Sequence, residues 1–183
     1  MSQSNSGDIT SQADEPGAES DRPADDDYPL PISLNLQATD CDPPAQDWLV
    51  LQLQKLADLA GIKQLQLSIA IVDDEQMSAL HEQYMDITGT TDVLTFDLSD
   101  DPADPSIIEG ELVLCVDEAA RQANARGHQT RDELLLYGLH GLLHLMGYDD
   151  HDDEDYKKMH HREDQLLTEA GFSALFASEI KQL

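Results

Sequence analysis

From Thr130 to Met146 the chain reads TRDELLLYGLHGLLHLM, a helical stretch with apolar side chains almost all the way round. A helix of this kind has no wet face to lay against solvent, so it belongs at the centre of a fold with the other elements packed about it. Set into it are His140 and His144, four residues apart and therefore on one face. An unpaired imidazole is costly to bury, and a metal ion satisfies both rings at once. The helix ends at Gly147, and a third imidazole, His151, follows within a few residues. A chain reversal after the glycine can bring His151 to the same point. Three protein ligands with a fourth position left for water is the arrangement of a catalytic zinc site, not of a closed structural one.

The remaining pattern predicts the layers around that helix. Ile32 to Gln37 alternates apolar and polar, as a half-buried strand does. Asp42-Pro43-Pro44 opens a helix through Trp48, Leu49, Leu53, Leu56 and Leu59 that stops at Gly61. Leu65 to Val72 alternates again as a second strand, and Asp73 with Gln76 forms a capping box for a helix through Met77, Leu80 and Tyr84. Asp86 to Asp92 reads as a loop, Val93 to Phe96 as a short strand, and Asp100 to Ser106 as another loop. Glu111 to Val116 is a fourth strand. Asp117 then caps a helix through Ala119, Ala120 and Ala123 that Gly127 closes. Thr130 to Glu133 is a capping box for the central helix. A last helix, Asp153 to Ala170, carries Met159, Leu166 and Leu167 on its apolar side, and a short helix follows from Ser173. This order predicts a single α+β domain of about four strands with helices packed over them, and the buried central helix carries the HxxxH pair.

Length and composition divide the chain. Its 183 residues hold one ordinary domain plus a tail. Residues 1–30 are Ser, Asp, Glu, Pro, Gly and Ala with scarcely a large apolar side chain, and they are predicted to be a disordered acidic tail. Residues 31–183 form the predicted domain. No apolar run of about 18 residues occurs, so no membrane partner is expected. The polar start, Met1 to Gly7, carries no secretory signal, which points to the cytoplasm. Cys41 and Cys115 belong to no CxxC pattern and read as reduced buried thiols. A net charge of −28 repels nucleic acid at long range, and with ten basic residues a large phosphate-binding footprint is hard to build.

By ligand type the imidazoles suit one zinc ion, with nickel, copper and iron as alternatives. Asp149, Asp150, Asp152 and Asp153 crowd the third histidine. One of them can orient a ligand ring, and one can replace His151 as ligand. Gly141 stands where zincin peptidases carry their general-base glutamate, so peptidase chemistry lacks its proton acceptor. A zinc ion lowers the pKa of its water to about 7 without that help, and a phosphodiester suits such a site best. No side chain is assigned as catalytic acid or base.

The run HGLLHLMGYDDH, His140 to His151, resembles the signature H-G-x-L-H-L-x-G-Y-D-H of the YbeY endoribonucleases, bacterial rRNA maturation factors. Tyr84 and Thr91-Asp92-Val93-Leu94-Thr95-Phe96 are similar to that family's Y-R…T-[ND]-V-L-S-F block, and Gly110 to Leu114 to its G-[DE]-I-x-I strand. The resemblance implies a small α+β fold with a four-stranded mixed sheet. It also implies His140, His144 and His151 as zinc ligands, and metal-dependent, single-strand-specific endoribonuclease action in maturation of the 16S rRNA 3′ end and in ribosome quality control. Its partners would be single-stranded rRNA and ribosomal particles, not DNA. Two departures stand out. The spacing from His144 to His151 is one residue longer than the family's, because an aspartate is doubled at Asp149-Asp150, and Asp150 falls at the expected offset. Met85 replaces the arginine that follows the family's tyrosine, and Ile87 stands where a lysine often occurs. Thr91 and Asp92 read as a turn before a strand, with groove lining as their other role. Arg121, Arg126 and Arg131 read as helix-surface residues that stand near the site in sequence. Two alternatives to the nuclease are a ribosome-assembly factor with structural zinc and a metal-dependent hydrolase of a small non-nucleic substrate.

Overall fold

A computed structural model describes residues 32–36, 43–99 and 104–172. The expected tail, Cys41, the cap at Asp42, most of the Asp100–Ser106 loop and the final helix from Ser173 lie outside the described residues. The elements run β1 (Ile32–Leu36), α1 (Pro43–Ala60), β2 (Gln64–Val72), α2 (Asp74–Met85), β3 (Val93–Asp97), β4 (Ile107–Cys115), α3 (Val116–Arg126), α4 (Thr130–Leu145) and α5 (Asp153–Ala170). The class is α+β, with five helices on one mixed sheet in the order β1-β2-β4-β3. β1, β2 and β4 are parallel, while β3 runs antiparallel to β4 at the edge.

Strand alternation sorts side chains to the two faces of the sheet. Leu67, Ile69 and Ile71 of β2 join Leu112 and Leu114 of β4 on the face covered by α1, α4 and α5. Ala70 and Val72 join Val113 and Cys115 on the other face, against Met77 of α2. The helix α4 is the hub, as its composition predicts. Leu134, Leu135, Leu139, Leu142 and Leu143 are all at most 2% exposed, and burying each contributes about 1.5–3 kcal/mol.

Helix starts follow local chemistry, with two revisions to the expected caps. Asp73 and Gln76 form the predicted box: the Gln76 N–H donates to Asp73 Oδ1 at 2.8 Å. Asp117, however, does not cap α3. That helix follows β4 without a linker and its N-cap is Cys115, while the Asp117 carboxylate accepts the Asp74 N–H of α2 at 2.9 Å. Nor does Thr130 pair with Glu133. Gln129 is the N-cap of α4, and its N–H donates to Asp132 at 3.1 Å. Glu133 is fully buried and held by Arg126 at 2.9 Å and His128 at 2.5 Å, so it has no reach back to a cap. β4 also begins at Ile107, earlier than expected, because it pairs with β2 over its whole length. Among the described residues no helix is long and apolar enough to cross a membrane.

The approach of α4 to the sheet depends on Gly141. A Cβ built there would lie 2.6 Å from Leu112 Cδ2 and 3.0 Å from Thr95 Oγ1. A glutamate, as in zincins, has no room. Alanine normally stabilises a helix interior by about 1 kcal/mol over glycine. Gly141→Ala should instead destabilise by about 1–3 kcal/mol through overpacking, read from the urea midpoint. A raised midpoint would show that this contact does not limit the packing.

Candidate functional site

The site forms where the end of α4 meets the turn before β3. One turn of α4 separates His140 and His144 and places them on one face, and their Nε2 atoms stand 3.1 Å apart. Each ring is held from behind through Nδ1. The Nδ1 of His140 bonds Glu163 at 2.8 Å, and that of His144 bonds the carbonyl oxygen of Tyr148 at 3.0 Å. Two Nδ1–H groups aimed at oxygen acceptors leave both Nε2 lone pairs directed at one point. Lone pairs at that separation repel unless a proton or a cation lies between them, so the donor set fits a metal ion. The structure therefore contains a residue group able to hold a metal: His140, His144 and Asp150.

The chain reversal that presents Asp150 is made by Gly147, whose φ of +88° lies in the left-handed region. Its N–H donates to His144 O at 2.9 Å and that of Tyr148 to Leu143 O at 3.0 Å, closing the helix end. Tyr148 O is thereby set under the His144 ring. Asp149 then accepts the Asp150 N–H at 2.8 Å, and Asp150 turns inward. Its Oδ2 is 3.5 Å from His140 Nε2 and its Oδ1 is 3.9 Å from His144 Nε2.

The extra aspartate has a structural consequence. Asp150 is the third residue grouped with the histidine pair. The His151 side chain is 87% exposed at the cleft rim, its ring hydrogen-bonded to Asp149. That bond raises the pKa of His151 and lowers that of Asp149. Burial opposes charge on His140, but the hydrogen bond it donates to Glu163 and the nearby carboxylates outweigh it and hold its pKa above the ordinary imidazole value.

The group opens into a cleft of about 460 Å³ between α4 and β3. Thr91 and Asp92 line it and also build the turn: Thr91 Oγ1 donates to Asp92 Oδ1 at 3.0 Å, and the Val93 N–H donates to the same oxygen at 2.9 Å. Both sequence roles are thus met by the same residues. Met85 lines the cleft as well, and among the described residues no Lys or Arg does. The arginines nearest in sequence are engaged elsewhere. Arg121 bonds Asp74 and Glu118, Arg126 bonds Glu133, and Arg131 lies 4.8 Å over the Trp48 ring.

Sequence reasoning missed Glu163. The signal was present: Glu163 stands on the stripe of Met159, Leu166, Leu167 and Ala170, the buried face of α5, where a carboxylate is out of place without a partner.

The family model described as Endoribonuclease YbeY matches residues 34–171. A protein named Endoribonuclease YbeY from Bifidobacterium animalis subsp. lactis is 40% identical over 109 residues, which span 57% of this chain and 60% of that protein. One of the same name from Acidothermus cellulolyticus is 42% identical over 114 residues, 56% of this chain and 69% of its own length. Another from Staphylococcus saprophyticus is 34% identical over 138 residues, 70% of this chain and 90% of its own. Among solved structures, the fold is similar to a Thermotoga maritima protein determined in solution. The TM-score is 0.53 at 23% identity, covering 75% of this chain and 90% of that one.

The turn at Gly147 yields a direct test. A side chain in the left-handed region costs about 1–2 kcal/mol, and a Cβ there meets nothing within 4 Å. Gly147→Ala should therefore lower the urea-derived stability by that amount through backbone strain alone; an unchanged midpoint would mean that the turn adopts another conformation.

Proposed function

The chain belongs to the endoribonuclease YbeY family, and we propose that it is a zinc-dependent, single-strand-specific endoribonuclease acting in maturation of the 16S rRNA 3′ end and in ribosome quality control. The observation that carries this reading is the convergence of His140 Nε2 and His144 Nε2 in an open cleft, with both Nδ1 atoms already bonded. We assign His140, His144 and Asp150 as the ligands of a single ion, with His151 at the rim. The activity is assigned to residues 31–183, within which the family match of residues 34–171 falls.

When bound, the ion supplies a polarised phosphoryl oxygen and a water of lowered pKa. The protein's own part is positional. Glu163 and Tyr148 O keep the two rings aimed into the cleft. The turn at Asp92 and the side chain of Met85 shape the wall against which a nucleotide rests. Single-strand specificity fits a cleft at a sheet edge, because an unpaired strand can lay one phosphodiester into a recess that a duplex cannot enter.

A lining without Lys or Arg among the described residues favours a second reading, a ribosome-assembly factor in which the metal is structural. The two separate in one assay on single-stranded RNA. The nuclease reading predicts cleavage by the zinc-loaded protein, loss of cleavage on chelation, and background rates for His144→Ala. Binding without cleavage, at equal affinity for both proteins, would favour the assembly factor. The ligand set is tested by titrating zinc into variants. Asp150→Ala should lose zinc binding and its thermal stabilisation, while His151→Ala should retain both. The reverse pattern would return the third ligand to His151.

A further inference from the structure

Glu163 is 3% exposed, and burying a carboxylate is among the costlier substitutions a helix can carry. Its neighbours on α5, Met159, Leu166 and Leu167, pack into the core, and an apolar side chain would continue their stripe. The carboxylate is instead fully used: Oε1 meets His140 Nδ1 at 2.8 Å, and Oε2 meets His160 Nδ1 at 2.6 Å. The His160 ring in turn packs on Tyr156, with ring centroids 4.1 Å apart. Nothing on α4 itself holds His140 from behind; its orientation comes from a helix that follows the entire site in sequence.

The two ligand rings are therefore held by unlike groups. His144 has a neutral backbone carbonyl, while His140 has an anion clamped on its far side by a second imidazole. An anionic acceptor fixes the Nδ1–H tautomer more firmly and makes the opposite nitrogen a stronger donor. We propose that Glu163, braced by His160, is a positioning residue that locks His140 in the Nδ1–H tautomer with Nε2 presented to the ion, so that α5 is coupled to metal binding. This inference rests on the metal site proposed above. It differs from a purely structural ion pair, which would hold α5 against α4 and leave metal affinity unchanged.

The test uses the full chain and zinc. Competition with a chromophoric chelator should give a zinc dissociation constant about 10–100-fold weaker for Glu163→Gln than for wild type, the range seen when such outer partners are removed. His160→Ala should weaken it less, because one carboxylate oxygen then loses its brace while the bond to His140 remains. Should Glu163→Gln fail to fold, long-range proton–nitrogen spectra of the zinc-loaded wild type decide the matter: His140 must carry its proton on Nδ1. Wild-type affinity in Glu163→Gln, or coordination of His140 through Nδ1, overturns the inference while leaving the metal site intact. A wild-type protein that binds no zinc overturns the metal site itself, and the inference with it.

Discussion

Everything in this structure depends on burying α4. A helix with apolar residues on nearly every face has to be wrapped, and the chain wraps it with the sheet beneath, α1 and α5 alongside, and α3 at its start. Gly141 allows the sheet to come so close that a Cβ there would lie 2.6 Å from Leu112 Cδ2. The face carrying His140 and His144 remains partly open, with 17% and 26% of those side chains exposed. The cleft lies over that face.

That arrangement explains why the candidate metal group is made of parts from three places. α4 contributes two imidazoles at a spacing its own geometry sets. The reversal at Gly147 contributes Asp150 and the Tyr148 carbonyl, and α5 contributes Glu163. Among the described residues the cleft wall adds Asp92 and Asp97 and no cationic side chain, so a bound divalent ion would bring the positive charge that a phosphodiester needs. Basic side chains outside the cleft serve the scaffold. Arg121 ties α3 to α2, Arg126 reaches the buried Glu133, and Lys55 donates to the Ala170 carbonyl at the end of α5.

The elements were readable wherever periodicity was strong. The capping box at Asp73, the start and end of α5, and the central place of α4 all follow from side-chain type and spacing. The errors share one cause. Asp117, Thr130 and Glu133 look like local caps, yet two of these carboxylates are claimed by distant partners: Asp117 by the Asp74 N–H and Glu133 by Arg126. A capping pattern counts neighbours in sequence and has no term for a competing donor from another helix. The early start of β4 escaped notice for a similar reason, since pairing with β2 extends a strand through Glu109 and Gly110, which carry little strand propensity of their own.

The sequence by itself determined that a buried helix would carry two imidazoles on one face, that a glycine would end it, and that acidic side chains would crowd the reversal. These are properties of spacing and local backbone preference, and they hold wherever the helix is packed. Tertiary structure alone decided which residue follows the pair into the cleft and what stands behind His140. Asp150 and His151 are adjacent in sequence, and their directions are separated by the bond each makes to Asp149. Glu163 reaches His140 only because α5 folds back along α4, a contact between residues far apart in the chain that no periodicity encodes.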